Sequence, residues 1–104
     1  MVNEILSAVG VPFKKTRFLK PPKVTYAVYL DDYSRRGADE KNLIKEHDVT
    51  IEIYSEKIDE EVEEKIENAL DQRVLEYQKQ DWYYIKSEQL FQLIYEFSYI
   101  EKGV

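Results

Sequence analysis

The sequence lacks cysteine and has one histidine, three glycines and three prolines among 104 residues. The absence of cysteine excludes disulfides, thiolate zinc sites and cysteine nucleophiles, and it is compatible with folding in a reducing cytoplasm. So few glycines leave little material for a phosphate-binding loop or a flexible linker. No apolar run approaches the ~20 residues needed to cross a bilayer, and the first ten residues do not resemble a signal peptide. We therefore expect no membrane partner.

Charge is the next feature, because the net charge of −6 is unevenly distributed. An acidic chain lacks the basic footprint of nucleic-acid-binding proteins, so we expect no sequence-specific nucleic acid binding. Such charged segments are usually solvated surface, and the alternative is that they meet partners of opposite charge. The basic segment 14–23 contains Lys14, Lys15, Arg17, Lys20 and Lys23, and the acidic segment 56–71 contains Glu56, Asp59, Glu60, Glu61, Glu63, Glu64, Glu67 and Asp71.

Hydrophobic periodicity predicts one α+β domain over residues 1–104. We expect a mostly antiparallel four-stranded sheet with two helices packed on one face, in the order helix-strand-strand-helix-strand-strand. The N-terminal helix is predicted to be capped by Asn3 and ended by Gly10, and an irregular segment follows it. The predicted helices cover residues 3–9 and 59–73, and the predicted strand regions are 24–30, 48–54, 74–86 and 90–100.

The last strand region has the most regular pattern in the chain. Side chains alternate between the two faces of a strand, so its aromatic residues share one apolar face and the strand belongs inside the sheet. That face carries Phe91, Leu93, Tyr95, Phe97 and Tyr99. In the first strand, Tyr26 and Val28 are assigned to the inward face and Tyr29 to the opposite face. An interruption near Gln80–Asp81 and a turn near 87–88 are also predicted.

The polar stretch 31–46 is predicted to be either a long hairpin connection or two extended strand ends with a turn near Arg36–Gly37. His47 follows it, and we expect a half-exposed histidine at a strand end. A small hydrolase that uses His47 with a carboxylate is a weaker alternative, because no serine lies in a nucleophile-elbow context. No metal-binding spacing is present. We predict no enzymatic activity, no catalytic residue, no cofactor and no metal site.

Tyrosine and tryptophan are common at protein interfaces, because an apolar ring with a polar tip tolerates partial burial. We expect interface residues among the aromatic side chains that point away from the core and among the charged residues of the 31–46 stretch. The candidates are Tyr29, Tyr33, Arg35, Arg36, Asp39, Tyr54 and Trp82.

The order of several blocks resembles one family. The blocks are Pro21–Pro22, Tyr26–Tyr29, Ala38–Lys41, Val49–Lys57, Glu61–Leu70 and Ile85–Phe97. Together they are similar to small tail-completion or tail-terminator proteins of prophages and siphophages of Gram-positive bacteria. The resemblance covers residues 21–100 and rests on the order of the blocks, since no single motif is specific.

This resemblance implies an α+β subunit without catalysis that forms a ring, commonly a hexamer, at the head-proximal end of a phage tail. Such a ring ends tail-tube polymerisation and joins the tail to the head. The implied partners are other copies of the chain, the tail-tube protein and head–tail connector proteins. The implied locations are the host cytoplasm during assembly and then the virion. An alternative is a monomeric acidic protein-binding module, such as a phage-encoded inhibitor or adaptor that presents helix 59–71 to a basic host protein.

Overall fold

In the computed structural model of the chain, residues 1–36 and 44–102 are described, and they form two α-helices and five β-strands. One sheet contains all five strands in the order β1-β2-β3-β5-β4. Strand β1 is parallel to β2, and every other neighbouring pair is antiparallel. The elements are α1 (Val2–Val9), β1 (Phe13–Lys15), β2 (Tyr26–Arg36), β3 (Ile44–Ser55), α2 (Glu60–Gln72), β4 (Tyr77–Ile85) and β5 (Leu90–Lys102).

The α+β class with two helices is confirmed, but the predicted count of four strands and the predicted element order are wrong. The additional strand is β1, which lies in the segment predicted to be irregular. Three residues are too few to display a period of two, so only the pairing with β2 reveals the strand. The chain after β1 then brings Phe18 against the Tyr26 ring, with the two ring centroids 5.3 Å apart.

The core lies between the two helices and one face of the sheet, which we call the helix face. Ile51, Ile53, Leu93 and Tyr95 are fully buried there. They pack with the apolar sides of both helices in one cluster. Strand β5 lies between β3 and β4, so the predicted internal position of the last strand and its apolar face are both confirmed.

The inward face assigned to β2 is wrong. Ala27 pairs with Ile53 and Tyr29 with Ile51, so Ala27 and Tyr29 are on the helix face. Tyr26 and Val28 are on the opposite face, which we call the open face, yet both are buried. Because both faces of this strand are covered at its beginning, the alternation of residue types did not indicate which one meets the helices.

The two helices differ in how they begin. In α1 the N-cap is Met1 and no side chain caps the helix, so the prediction of Asn3 as the cap is wrong. The Asn3 side chain instead accepts a 3.3 Å hydrogen bond from the Tyr29 hydroxyl. Gly10 ends α1 with a left-handed φ of 85°, as predicted. In α2 the predicted cap is confirmed, because the Asp59 carboxylate accepts a hydrogen bond from the Val62 backbone N–H at 3.2 Å.

Replacing Asp59 with alanine is expected to lower the free energy of unfolding by about 1 kcal/mol, the usual cost of losing such a cap. The same carboxylate accepts a 3.0 Å hydrogen bond from the Thr25 hydroxyl, which adds to the loss. Asp59→Asn keeps an oxygen at the cap and serves as the matched control. Urea denaturation measures the free energy of unfolding of both variants. An equal decrease in the two variants would contradict a capping role for the Asp59 side chain.

Candidate assembly surfaces

Three strands extend beyond the helices as a projecting arm, formed by residues 31–36 of β2, 44–48 of β3 and 98–102 of β5. These residues pair continuously, from Asp31↔Val49 to Arg36↔Ile44 and from Ile44↔Lys102 to Asp48↔Ser98. The buried apolar positions of the helix face end at Val49 and Phe97. The molecule is accordingly elongated, with extents of 50 × 29 × 21 Å. The predicted alternative of two extended strand ends is therefore confirmed, while the turn itself lies outside the described residues.

His47 is at the centre of the arm. Its Nδ1 is 2.8 Å from Asp31 Oδ1 and its Nε2 is 3.0 Å from Glu101 Oε1. The imidazole ring stacks on Tyr99 at 4.4 Å and on Tyr33 at 5.3 Å between ring centroids. One side chain of β3 thus contacts both neighbouring strands of the arm. We call these five residues the histidine clamp.

The expectation of a half-exposed histidine at a strand end is wrong, because His47 is inside β3 and only 6% exposed. Strand β3 begins at Ile44, earlier than its hydrophobic alternation indicates. Polar residues can occupy this extension because β3 is paired on both sides, which satisfies the backbone whatever the side chains are. The clamp then supplies the contacts that an apolar core would otherwise make.

The hydrogen-bonding capacity of the clamp is limited by the single hydrogen that a neutral imidazole carries. A carboxylate only accepts, so both contacts of His47 are made together when both ring nitrogens carry hydrogen or when one carboxyl group is protonated. The hydrogen bond from His47 holds the pKa of Glu101 below its usual value. Burial, together with the charges of Asp31 and Glu101, raises the pKa of the Tyr99 hydroxyl. In the arm these interactions favour an ionised Glu101 carboxylate and a neutral Tyr99 hydroxyl.

A second polar network joins α2 to the sheet. Lys79 of β4 forms ion pairs with Glu63 and with Glu67, the latter at 2.8 Å. Trp82 Nε1 donates a hydrogen bond to Glu63 at 3.1 Å, and the Tyr95 hydroxyl donates to Glu67 at 2.7 Å. Burial alone would raise the pKa of Glu67, but the hydrogen bonds from Lys79 and Tyr95 outweigh it and hold that pKa below its usual value. The acidic helix is thereby fixed over β4 and β5.

The β1 part of the basic segment and the α2 part of the acidic segment lie toward opposite edges of the sheet, whereas the segments meet where Lys23 lines one pocket with Glu56, Asp59 and Glu60. The basic segment begins in β1, at one edge of the strand order, and its five cationic residues are all exposed. The acidic segment includes α2, which the Lys79, Trp82 and Tyr95 contacts place at the other edge. Glu60, Glu61 and Glu64 are exposed on that helix. Each subunit therefore presents a positive side and a negative side.

The predicted interface residues do not form one patch. Tyr29 is on the helix face, where it contacts α1, and Trp82 contacts α2, so the prediction that both point away from the helices is wrong. Tyr54 does lie on the open face, half-buried against Tyr26, and burial raises its pKa to about 12.

The other candidates belong to the arm or lie beyond it. Tyr33 is 47% exposed there, Arg35 and Arg36 are the last residues of β2, and Asp39 lies outside the described residues. A strand interruption near Gln80–Asp81 is confirmed as a register shift between Gln80 and Tyr83, and it brings Trp82 to the helix face.

Sequence reasoning missed the two carboxylates that bind His47. Asp31 and Glu101 are 16 and 54 residues from His47 in the chain. The sequence does contain a signal for Asp31: if the alternation in β2 is continued beyond Leu30, Asp31 and Tyr33 fall on the same face of the strand as Ala27 and Tyr29. In residues 1–36 and 44–102, no group of three or more His, Asp or Glu side chains is placed to hold a metal ion. Neither described helix is long and apolar enough to span a membrane.

No family model matches the chain, and no curated protein matches it significantly.

Proposed function

We propose that the chain is a structural assembly protein that forms an oligomeric ring at the head-proximal end of a phage tail, where it ends tube polymerisation and joins tail to head. The observation that carries the ring is the opposite charge of the two lateral sides. A ring requires two different complementary patches on each subunit, so that one side of a copy meets the other side of its neighbour. The basic side at β1 and the acidic side at α2 are such a pair.

The fold supports this proposal in a second way. The arm extends away from the helices, so it is free to meet a tail tube or a connector while the body contacts its neighbours. The phage role itself rests on the block order in the sequence, since ring formation alone is common to many assemblies. The chemistry of the described surface favours contact with proteins over catalysis, because its one histidine is buried between carboxylates.

Neutralising Lys14, Lys15 and Arg17 together, as glutamines, is expected to weaken ring formation and to reduce its dependence on salt, because exposed charges attract less as ionic strength rises. The matched control replaces Lys45, Lys86 and Lys102, which lie outside both charged segments. Both triple variants lose the same charge. Light scattering after size-exclusion chromatography measures the mass at low and high salt.

The ring proposal predicts a ring-sized mass for the wild type and the control at low salt, and a smaller mass for the β1-side variant. An equal response of both triple variants would contradict pairing of the two lateral sides. A monomeric wild type at every salt concentration would favour the acidic binding module instead. For the phage role, deletion of the gene from an inducible prophage is expected to give unattached heads and tails of irregular length in electron micrographs.

A further inference from the structure

In residues 1–36 and 44–102, only β1 pairs with the outer edge of β2, and it pairs with Ala27 to Tyr29 alone. The Ala27 N–H donates to the Pro12 carbonyl at 2.9 Å, and the Thr16 N–H donates to the Tyr29 carbonyl at 2.8 Å. The backbone groups of residues 27 and 29 therefore point to the β1 side. Strand β1 ends at Lys15, which pairs with Tyr29. Within the described part of the chain, no strand pairs with this edge beyond Tyr29.

The direction of the free backbone groups follows from the register. Strand β2 pairs with β3 without interruption from Tyr26↔Tyr54 to Arg36↔Ile44. In a regular antiparallel pair, consecutive residues point their N–H and C=O groups to alternate sides. The groups of residues 31, 33 and 35 therefore point outward, as those of 27 and 29 do. This edge offers a row of hydrogen-bonding groups to another strand.

The sequence of the edge is complementary to itself when it is read in opposite directions. It runs Asp31-Asp32-Tyr33-Ser34-Arg35-Arg36, with two acids at the beginning and two bases at the end. If Tyr33 faces Tyr33 of an antiparallel copy, Asp31 is opposite Arg35. If Ser34 faces Ser34 instead, Asp32 is opposite Arg36. Opposite charges at directly facing positions stabilise a strand pair, and like charges, which an in-register parallel pair would produce, destabilise it.

We propose that the outer edge of β2, from Asp31 to Arg36, binds the same edge of a second copy of the chain as an antiparallel strand pair. A two-fold axis perpendicular to the sheet relates the copies, so their helices lie on the same side and their bodies at opposite ends. In the register centred on Tyr33, Arg36 would lie opposite Leu30, beside which the chain places Thr16, because the Thr16 N–H bonds the Tyr29 carbonyl. In the register centred on Ser34, the paired residues run from Asp32 to Arg36, beyond the positions that β1 and Thr16 occupy. This second register therefore avoids the existing edge strand.

This contact is independent of the proposed ring, because it uses identical patches on both copies instead of two different sides. The two contacts are also compatible. If each arm pairs with an arm of another copy about a two-fold axis, two rings would be joined through their arms. The outer edges of β2 would then be covered until a partner displaces the second ring. A chain that does not form rings would form a dimer through the same edge.

Disulfide trapping tests the contact directly, because the chain has no cysteine of its own. Facing residues of antiparallel strands have Cα atoms about 4.5–5.5 Å apart, within the range that a disulfide spans. Ser34→Cys alone reports the register centred on Ser34, and a mixture of Asp32→Cys with Ser34→Cys reports the one centred on Tyr33. We expect disulfide dimers to form about tenfold faster than with Ser98→Cys, an exposed serine of β5, because the paired strands hold the thiols together. Equal rates, or a faster reaction of Ser98→Cys, would overturn the proposal.

A proline provides the second test. Arg35→Pro removes an N–H that points outward, so it blocks the edge and leaves the hydrogen bonds to β3 intact. Arg35→Ala removes the charge but keeps the N–H. At high salt, where the ring contact is weakened, we expect sedimentation to show a mass that increases with concentration for the wild type, increases less for the alanine variant and stays constant for the proline variant. Unchanged circular dichroism confirms that the fold is retained, and equal masses for the proline and alanine variants would contradict strand pairing.

The test separates this contact from the ring. Neutralising Lys14, Lys15 and Arg17 is expected to leave the Ser34→Cys cross-link unchanged, whereas Arg35→Pro is expected to leave the salt-dependent ring contact in place. Loss of the cross-link in the β1-side variant would show that the two contacts are one, and would overturn the arm-edge proposal.

Discussion

Replacing Tyr95 with alanine is expected to lower the free energy of unfolding by about 3–5 kcal/mol, the usual range for removing a large buried aromatic side chain. Tyr95 is fully buried in the middle of β5, at the centre of the core. Its ring packs edge-on against Tyr77 with centroids 5.6 Å apart. Few neighbours can move into the space, because β3 and β4 pair with β5 on both sides of this residue. Equilibrium denaturation in guanidinium chloride measures the loss.

Tyr95→Phe is the matched control for the aromatic ring. It removes the 2.7 Å hydrogen bond to Glu67 and keeps the packing, so we expect a smaller loss of about 1–2 kcal/mol. Burial, assisted by the hydrogen bond to Glu67, raises the pKa of the Tyr95 hydroxyl well above its usual value, so this group stays a donor throughout the stable range of pH. Equal losses in the alanine and phenylalanine variants would show that packing contributes little.

The acid side of the stability curve tests the same contact. The pKa of Glu67 is below its ordinary value in the folded chain, so the ionised group stabilises the fold at pH values above its unfolded pKa. That stabilisation is lost as the pH falls from the unfolded pKa, about 4.3, through the lower folded pKa. Glu67→Gln is therefore expected to flatten the stability curve in this interval. An acid limb as steep as that of the wild type would contradict the assignment.

The sequence predicted those parts of the fold in which one periodic face is buried and the other is exposed. Helix α2 shows this, since Val62, Ile66 and Leu70 recur at helical spacing and are all buried. Strand β5 shows it for a strand. In both, burial on a single face makes the pattern of residue types a direct record of the packing.

The arm could not be predicted in the same way, because its residues are polar and their partners are distant in sequence. Asp31, His47 and Glu101 come together only through the registers of β2 with β3 and of β3 with β5. Strand β1 was not predicted because its three residues are too few to show an alternation of apolar and polar side chains. The faces of β2 were assigned wrongly because Tyr26, Ala27 and Val28 are all buried, so both faces of the strand carry buried residues at its beginning.

The two charged sides of the subunit could be predicted only in part from the sequence. The basic 14–23 segment and the acidic 56–71 segment are visible in the sequence, but their separation in space depends on strand order. The positions of β1 and of α2 place the β1 part of the basic segment and the α2 part of the acidic segment toward opposite edges of one sheet. The proposed assembly surface therefore combines a feature of the sequence with a feature of the topology.

Replacing His47 with phenylalanine is expected to loosen the arm and to lower the free energy of unfolding by about 2 kcal/mol. The aromatic ring is retained between Tyr33 and Tyr99, while the Asp31 carboxylate, only 16% exposed, loses its hydrogen-bonding partner. An unsatisfied carboxylate in that setting costs more than the hydrogen bond itself contributes. Denaturation measures the total, and hydrogen exchange measures the protection of the arm amides.

A double variant distinguishes the lost partner from a change in ring packing. If the cost comes from the unpaired carboxylate, Asp31→Leu combined with His47→Phe is expected to recover part of the stability, because replacing both polar partners with apolar groups is nearly neutral. Additive losses in the double variant would contradict the clamp as a coupled unit.

The clamp also connects the fold to the proposed contacts of the arm. The edge of β2 can accept a second strand only while β2 is held flat against β3, and His47 contributes to this through Asp31 and Tyr33. We therefore expect His47→Phe to slow cross-linking through Ser34→Cys, and Tyr95→Phe, which acts on the α2 side of the core, to leave it unchanged. If both substitutions slow the reaction equally, general loss of stability explains the effect and the clamp has no specific role in presenting the edge. A selective effect of His47 would instead identify the buried histidine as the residue that keeps the assembly edge in order.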